Sequence, residues 1–343
     1  MHNALKQLFT FAFALVFMTG VAFAQSNSSS LTQNTNSSDA TILQTGSMNE
    51  SDVTQQFGQY HEAVIEQIGN MNTNTVLQDN TNTYTNVFQE GNENVSEIFQ
   101  RSRLFGGPGV RVSTIDLDQL GDENFTNIRQ DAESPSGQSK TNEATVLQDG
   151  NENTVYLSQN RDDNAGPAQS SNSASITQTG ERNYTDAGQQ LTGAGSGQDG
   201  RGHSLTEITT GSDNMFYATQ NGRFDFMRLQ VTGDGNMMDS FQDGAGNRTF
   251  YTVIGDGNTS ELDAIGNTNF VGASLTGDGN DVTIYQDGDN NRVTLPGSGP
   301  TNQDGLVVVG NSNVVDISQT GQMHQSDVSI NGNLNTSTVT QSN

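Results

Sequence analysis

The chain has 343 residues, of which 31% are hydrophobic, and it contains neither tryptophan nor cysteine. Its 13 Lys+Arg and 39 Asp+Glu residues give a formal charge of −26, which argues against nucleic acid or an anionic membrane surface as a partner, because both need a basic face. This hydrophobic fraction is low for a globular domain, so the composition is typical either of a disordered chain or of a repeat in which stacked polar side chains supplement a thin core.

The N-terminus has the pattern of a secretory signal peptide. Lys6 supplies a positive charge, residues 8–18 are mostly apolar, and Ala22-Phe23-Ala24 forms a small-x-small cleavage site before Gln25. The apolar run is shorter than the roughly 20 residues that a membrane-spanning helix needs. We therefore expect residues 1–24 to be removed on export and residues 25–343 to form a secreted repeat domain with no membrane span.

An eleven-residue period runs through the rest of the chain. Its anchor is glutamine or an apolar residue, followed two positions later by Gly and five positions later by Asn. One extra residue separates Gln44 from Gln56, whereas from Gln220 to Gln341 the period shows no slip, with Gly297 as one of its anchors. A fixed short period predicts one structural unit stacked many times.

Within each unit, apolar side chains alternate with polar ones. Ile284 and Val282 precede Gln286 at steps of two, with Thr283 and Asp281 at the positions between. This alternation, ended by Gly and turn-forming residues, predicts a short half-buried strand and a tight turn. One such unit cannot bury its own inner face, so two units should form one coil of 22 residues. The predicted fold class is all-β, a two-sheet cross-β solenoid of about 13 coils.

The anchor glutamines should point inward, where only the coils above and below can satisfy their side-chain amides. The predicted ladder consists of Gln44, Gln56, Gln67, Gln78, Gln89, Gln100, Gln119, Gln130, Gln148, Gln159, Gln178, Gln220, Gln242, Gln286, Gln319 and Gln341. Gly and Asn should form the corners, because both suit tight turns. The predicted turn positions are Gly69, Gly91, Gly150, Gly180, Gly244, Gly288, Gly321, Asn72, Asn94, Asn153, Asn183, Asn247 and Asn291.

Four insertions interrupt the period, near residues 101–112, 131–141, 160–171 and 190–202. They alternate with uninterrupted units, so in a coil of two strands all four must leave from the same edge. They are rich in Gly, Pro, Ser and Asp. This is typical either of a binding face built from loops or of a solvated corner that tolerates extra length.

The residues give no support for catalysis or for a bound cofactor. His61, His203 and His324 occupy the corner position otherwise held by Asn, which favours a structural role, and no nucleophile–base pair is recognisable. Gly-Asp-Gly-Asn corners such as residues 255–258 also fit a calcium site, yet calcium β-rolls repeat about every nine residues and any tight turn favours Asp. We therefore expect no enzyme activity, no cofactor and no required metal.

The unit Gln-x-Gly-x-x-Asn, followed six residues later by another Gln, resembles the curlin repeat of bacterial curli subunits. Clear instances begin at Gln67, Gln89 and Gln148. The resemblance implies a secreted functional amyloid, a β-solenoid that polymerises end to end into extracellular biofilm fibres on the bacterial cell surface. It also implies a nucleating curlin-like subunit and an outer-membrane export pore as partners.

The repeat stops at residues 339–343 in mid-unit without a polar cap, and such an end leaves unpaired strand groups that template another copy. We therefore expect a self-assembling fibre subunit for biofilm matrix and surface adhesion. The alternative is a monomeric or cell-attached β-solenoid adhesin; a calcium- or ice-binding solenoid is less favoured. Phe224 and Phe226 lie near Arg223 and Arg228 in an outward cluster that either mediates lateral packing or surface contact, or is incidental.

Overall fold

The protein is an all-β solenoid built from two parallel sheets, as seen in a computed structural model. The structure describes residues 26–80, 82–103, 113–133, 142–161, 172–191, 202–293 and 305–343. No helix occurs within these ranges. The predicted signal peptide, residues 1–24, lies outside them.

The two sheets take alternate strands of the chain. Sheet I has 13 strands, which are β1 (Ser28–Asn36), β3 (Glu50–Gln59), β5 (Thr73–Asn80), β7 (Val95–Arg103), β9 (Phe125–Glu133), β11 (Thr154–Arg161), β13 (Tyr184–Leu191), β15 (Met215–Arg223), β17 (Met237–Ala245), β19 (Thr259–Asn267), β21 (Asp281–Asp289), β24 (Val314–Gln322) and β27 (Thr336–Ser342). Sheet II has 14, which are β2 (Asp39–Ser47), β4 (Glu62–Asn70), β6 (Thr83–Asn92), β8 (Ser113–Leu120), β10 (Asn142–Asp149), β12 (Asn172–Thr179), β14 (Ser204–Thr210), β16 (Phe226–Thr232), β18 (Arg248–Ile254), β20 (Phe270–Thr276), β22 (Arg292–Val293), β23 (Leu306–Val309), β25 (Gln325–Ser326) and β26 (Val328–Asn331).

Each strand pairs in parallel with the equivalent strand one coil away. Gln67 lies directly opposite Gln89, and Gln89 lies directly opposite Gln119, so equivalent positions of the repeat stack on one another. One coil contains a strand of each sheet, because the chain passes from one sheet to the other at every corner. This confirms the predicted two-sheet β-solenoid of about 13 coils.

The inward side chains of both sheets form a single thin core. Alternate residues are buried along most strands, as in β4, where Ala63, Ile65 and Gln67 point inward. The apolar members pack in one cluster that extends along the solenoid and includes Ile128 and Ile176. Because many of the remaining inward positions are polar, hydrogen bonds between coils must supplement the burial of apolar area.

The two edges of the solenoid differ. At the edge where the chain crosses from sheet II to sheet I, every corner from residues 46–49 to residues 332–335 reads Gly-x-x-Asn, and we call this the tight edge. All four predicted insertions lie at the opposite edge, between a sheet I strand and a sheet II strand, and we call this the insertion edge. Strands extend into the predicted insertion ranges at residues 101–103, 131–133, 160–161 and 190–191. Apart from Gly202, the rest of those ranges lies outside the described residues.

A fifth insertion occurs inside a strand position of sheet II. β22 ends at Val293, and the same rung resumes at Gly305 and continues as β23. Val308 therefore lies directly opposite Leu275. These two residues are 33 positions apart, three periods where one coil takes two, so the expectation of an unbroken period is wrong. The segment between Val293 and Gly305, which includes the predicted anchor Gly297, lies outside the described residues. That segment contains two prolines, which lack the N–H that an interior strand must donate.

The corner glycines of the tight edge bring the backbones of adjacent coils into direct contact. Gly150 has a φ of +133°, in the region that side chains disfavour, and a Cβ added to it would overlap the carbonyl oxygen of Gly180. The same contact recurs along this edge, where Gly180 meets Gly211. A side chain at these positions would therefore have to push two coils apart.

We predict that Gly150→Ala lowers the free energy of unfolding by about 3 kcal/mol, because it adds both backbone strain and a clash with the next coil. The matched control is Gly188→Ala on β13, where an added Cβ meets nothing within 4 Å. The control should leave stability unchanged or raise it slightly, since Ala restricts the unfolded chain. Urea denaturation followed by circular dichroism measures both; equal midpoints would contradict the steric role of the tight edge.

Candidate functional site

The inner surface carries ladders of glutamine side chains that bond one coil to the next. Gln130 illustrates the arrangement. Its Nε2 donates to Gln159 Oε1 at 2.7 Å and to the backbone carbonyl of Thr114 at 3.1 Å. Its Oε1 accepts from Gln100 Nε2 at 3.1 Å. The side chain is fully buried, so it depends on a coil on each side for its hydrogen bonds.

Two such ladders run along the solenoid. The sheet I ladder consists of Gln33, Gln55, Gln78, Gln100, Gln130, Gln159, Gln189, Gln220 and Gln242, and then Gln286, Gln319 and Gln341. The sheet II ladder consists of Gln44, Gln67, Gln89, Gln119, Gln148 and Gln178. Every glutamine predicted for the ladder lies in one of these columns except Gln56.

Gln55 takes the ladder position that the sequence assigned to Gln56. Gln55 is buried and lies opposite Gln78, whereas Gln56 lies opposite Asp79 and points outward. The extra residue of this repeat therefore belongs to the corner that leads to His61. A corner can absorb one residue, but a one-residue slip within the strand would turn every side chain to the opposite face.

The sheet II ladder ends at a buried carboxyl group. Gln178 Nε2 donates to Thr185 Oγ1 at 2.9 Å, and Thr185 Oγ1 donates to Glu207 Oε1 at 2.7 Å. Thr209 Oγ1 donates to the same oxygen at 3.1 Å. Beyond Thr209 the column is apolar, and its members are Val231, Val253, Leu275, Val308 and Ile330. Glu207 was missed in the sequence. The signal was its place two residues before Thr209, because alternate residues of a strand point to the same face and Thr209 faces inward.

The sheet I ladder has one gap, at Ala264. This residue lies between Gln242 and Gln286 in the column and has no amide to offer. Gln242 Nε2 donates instead to Thr249 Oγ1 at 3.0 Å. Gln286 Oε1 is buried and has no hydrogen-bond partner among the described residues. An unpaired buried oxygen is destabilising, so the interface between β19 and β21 is bonded less completely than a rung where the ladder is unbroken.

We predict that Gln55→Ala lowers the free energy of unfolding by about 2 kcal/mol, because it leaves the buried Oε1 of Gln78 without a donor. The adjacent Gln56→Ala is the matched control, and its effect should stay within about 0.5 kcal/mol, since surface substitutions are usually of that size. Chemical denaturation of the two variants side by side measures the difference. A larger loss from Gln56→Ala than from Gln55→Ala would refute the ladder phase seen in the structure.

Asparagine forms a second kind of ladder along the tight edge. Asn94 donates from its backbone N to Asn72 Oδ1 at 3.0 Å and from Nδ2 to the same oxygen at 3.1 Å. Its Nδ2 also donates to the carbonyl of Gly121 at 2.7 Å. These bonds between Asn side chains point toward the N-terminal coils, whereas the glutamine bonds point toward the C-terminal coils. The stack is therefore directional in both ladders.

The predicted turn residues divide between the two edges. The tight edge holds Gly69, Gly91, Gly150, Gly180, Asn72, Asn94, Asn153 and Asn183, and the insertion edge holds Gly244, Gly288, Gly321, Asn247 and Asn291. His61, His203 and His324, which the sequence places at corners, all lie at the insertion edge, and so does the corner residue Asp225. The tight edge thus keeps its corner sequence, while the insertion edge varies in both length and side chain.

His61 takes over the hydrogen bonds of a corner asparagine. Its Nδ1 lies 2.8 Å from Thr83 Oγ1 in the next coil, and its Nε2 lies 3.1 Å from the carbonyl of Phe57. Burial lowers the pKa of His61, which favours the neutral ring that can both donate and accept. These contacts are those of a structural residue.

Two adjacent coils near the middle of the solenoid bury three titratable side chains, His203 and Glu207 in one coil and Asp225 in the next. His203 Nδ1 lies 3.4 Å from Asp225 Oδ2, and both side chains are inaccessible to solvent. Burial raises the pKa of Asp225 to about 8, against the lowering effect of the hydrogen bond from Asn247. Burial also raises the pKa of Glu207 to about 7, and its Oε2 has no partner among the described groups.

These raised pKa values predict that the solenoid loses stability as the pH rises. A carboxyl group with a raised folded-state pKa stabilises the fold below its unfolded pKa of about 4, and that contribution is lost as the pH passes through about 7 for Glu207. Removing the proton from Glu207 should cost about 3 kcal/mol. Glu207→Gln should therefore flatten the decline of the urea midpoint between about pH 5 and pH 8.

The control for this prediction is Glu143→Gln, which changes an exposed carboxylate on the outer face of sheet II. It should keep the wild-type pH dependence. If Glu207→Gln and Glu143→Gln give the same slope of midpoint against pH, the buried carboxyl of Glu207 is not the group that titrates.

The chain matches neither a protein-family model nor a curated protein. In the part of the chain that the structure describes, no helix is long and apolar enough to cross a membrane. Within the same part, no group of three or more His, Cys, Asp or Glu side chains is placed to hold a metal ion.

Proposed function

We propose that the protein is a structural subunit that polymerises end to end into curli-like cross-β fibres. The observation that carries the proposal is that β1 and β27 are the two edge strands of sheet I. Among the described strands, β1 pairs only with β3 and β27 only with β24. Each edge thus offers backbone N–H and C=O groups of the kind that template another strand.

The side-chain ladders support a direct continuation from one copy to the next. Gln33 donates to Gln55, so the Oε1 of Gln33 faces the N-terminal end of the solenoid. Gln341 accepts from Gln319 and has a second Nε2 hydrogen beyond the one donated to a backbone carbonyl. Throughout the solenoid, equivalent positions of paired strands lie opposite each other. If β1 of one copy stacks on β27 of another in the same register, Gln33 lies opposite Gln341. A donor then meets an acceptor, as at every ordinary rung.

The asparagine ladder is complementary in the opposite sense. Asn335 donates to Asn313 Oδ1 at 2.9 Å, so its own Oδ1 faces away from the stack at the end where Gln341 offers an N–H. The two ends of the solenoid therefore present different sets of donors and acceptors. Such a contact joins head to tail and does not close on itself, which is the geometry of a filament.

Apolar residues would also gain burial at this junction. Leu31, an inward-facing residue of β1, is 46% exposed, and Val339 of β27 is only partly buried. Their places on the two strands are equivalent, two residues before Gln33 and Gln341. Stacking would cover both, and burying an aliphatic side chain contributes about 1.5–3 kcal/mol.

The site of the fibre and its partners are proposed from the sequence. The signal-peptide pattern of residues 1–24 supports secretion. The resemblance to curlin repeats supports an extracellular fibre on the bacterial cell surface, with a nucleating subunit and an outer-membrane pore. In this role the protein would contribute to biofilm matrix and adhesion.

The test begins with residues 25–343 dissolved in denaturant and then desalted. We expect fibres with a reflection near 4.7 Å, and addition of sonicated fibres should shorten the lag before growth. Thr338→Pro should slow or abolish elongation. The backbone carbonyl of Asn335 accepts a hydrogen bond from Val314 of β24. Successive residues of a strand direct their backbone groups to opposite sides, so the N–H of Thr338 points to the free edge. Proline removes that N–H without breaking a bond inside the copy.

Thr338→Val is the matched control, because it keeps the N–H and the strand propensity of the position. It should elongate at the wild-type rate. A wild-type protein that stays folded and monomeric for days would overturn the fibre proposal and favour the adhesin. Fibres that grow equally well from the Thr338→Pro variant would show that β27 is not the contact between copies.

A further inference from the structure

The outer face of sheet II carries a cationic aromatic surface in an otherwise acidic protein. β16 and β18 present Phe226, Arg228, Arg248 and Phe250, which we call the Arg/Phe patch. The rings of Phe226 and Phe250 have centroids 5.0 Å apart, and the Arg248 side chain is exposed. The chain has only 13 Lys+Arg against 39 Asp+Glu. Neither β16 nor β18 contains Asp or Glu, so the two arginines make this part of the face positive.

This patch only partly overlaps the aromatic cluster expected from the sequence. Phe226 and Arg228 belong to it, whereas Arg223 ends β15 in sheet I. Phe224 lies in the corner between, with a φ of 62°. The strand register adds Phe250, which the sequence alone did not connect with Phe226.

The outer face of sheet I is acidic at the same height along the solenoid. β17 and β19 present Asp239, Asp243, Glu261 and Asp263, which we call the acidic patch. Burial raises the pKa of Asp263, and the neighbouring carboxylates of Glu261 and Asp239 raise it further. Neither β17 nor β19 contains Lys or Arg, nor do the next two strands of this sheet, β21 and β24. The carboxylates therefore repel one another and have no cation on their own face along this stretch.

We infer that the Arg/Phe patch of one copy binds the acidic patch of a second copy lying beside it with a parallel axis. The two patches lie on opposite faces of the same coils, so two copies at equal height bring them together. Arg228 and Arg248 lie on adjacent rungs, as do Asp239 and Glu261. Both faces share the rung spacing of about 4.8 Å, so each arginine can lie at the height of a carboxylate when the axes are parallel. Guanidinium groups suit such pairing, because they bind carboxylates through two hydrogen bonds.

This contact is heterologous, so each added copy again offers both patches to further neighbours. In fibres formed as proposed above, and resting on that proposal, it would bundle filaments side by side. A second copy is the favoured occupant because the complementary surface belongs to the chain itself. The contact also exists between unpolymerised copies, so it can be tested whether or not fibres form.

The experiment reverses the charge of each patch and then of both. The first variant carries Arg228→Glu and Arg248→Glu, the second carries Asp239→Arg and Glu261→Arg, and the third carries all four substitutions. The first two should reduce the fraction of filaments found in bundles on the order of tenfold, since like charges then face each other. The third should bundle again, because the attraction is restored with its sign exchanged. Electron microscopy of fibre width and low-speed pelleting give the readout.

Two controls keep the outcome decisive. Arg182→Glu changes the same charge at the tight edge, away from both faces, and should bundle like the wild type. Arg228→Gln with Arg248→Gln removes the charge with less disturbance and should bundle less than the wild type. Circular dichroism and the reflection near 4.7 Å establish that the filaments themselves are intact in each variant.

Intact filaments that bundle equally in every variant would overturn the lateral contact and leave the fibre proposal standing. Failure of the fourfold variant to recover would also overturn it, because recovery depends only on complementary charge. If no filaments form, sedimentation velocity of the soluble protein decides the question. Wild type and fourfold variant should then form larger species than either twofold variant, and equal sizes would refute the contact.

Discussion

The whole structure depends on one constraint, which is that an inward amide must find its partner in the next coil. Gln130 meets this condition by bonding to Gln100 and Gln159, and neither partner lies in its own coil. A buried amide without partners costs free energy, so a single coil would be penalised for the side chains that stabilise the stack. Parallel, in-register pairing follows, because only that arrangement places the same side chain above and below. The eleven-residue period is the sequence form of this requirement.

The constraint is met differently in different parts of the molecule. In the N-terminal coils both sheets carry glutamine ladders, whereas beyond Thr209 the sheet II column is apolar. Glu207 lies at this change, where its carboxyl accepts the last bond in the chain of donors that starts from Gln178. The C-terminal coils thus rely more on apolar burial, and the N-terminal coils rely more on hydrogen bonds. The two edges also differ, since the tight edge keeps one corner sequence whereas the insertion edge varies in length and side chain.

Much of the fold could be predicted from the sequence because the period of eleven and the alternation of two are both imposed by geometry. The predicted anchor positions were wrong where only the number of residues between anchors was available to place them. An extra residue can sit before or after an anchor, and only pairing with Gln78 identifies Gln55 as inward. Gly297 kept the spacing of an anchor, although the rung passes from Val293 to Gly305. Glu207 was missed because a charged residue is not expected in a core, and its partners come from other coils.

Coils in a solenoid are joined in series, which determines how the protein responds to a pull along its axis. Every interface bears the same force, so the stack is only as strong as its least bonded interface. Ala264 interrupts the sheet I ladder and leaves Gln286 Oε1 unpaired. The interfaces on both sides of β19 therefore lack the glutamine bond that the rest of the sheet I ladder has. A stretched molecule should part there before it parts at a rung where the ladder is complete.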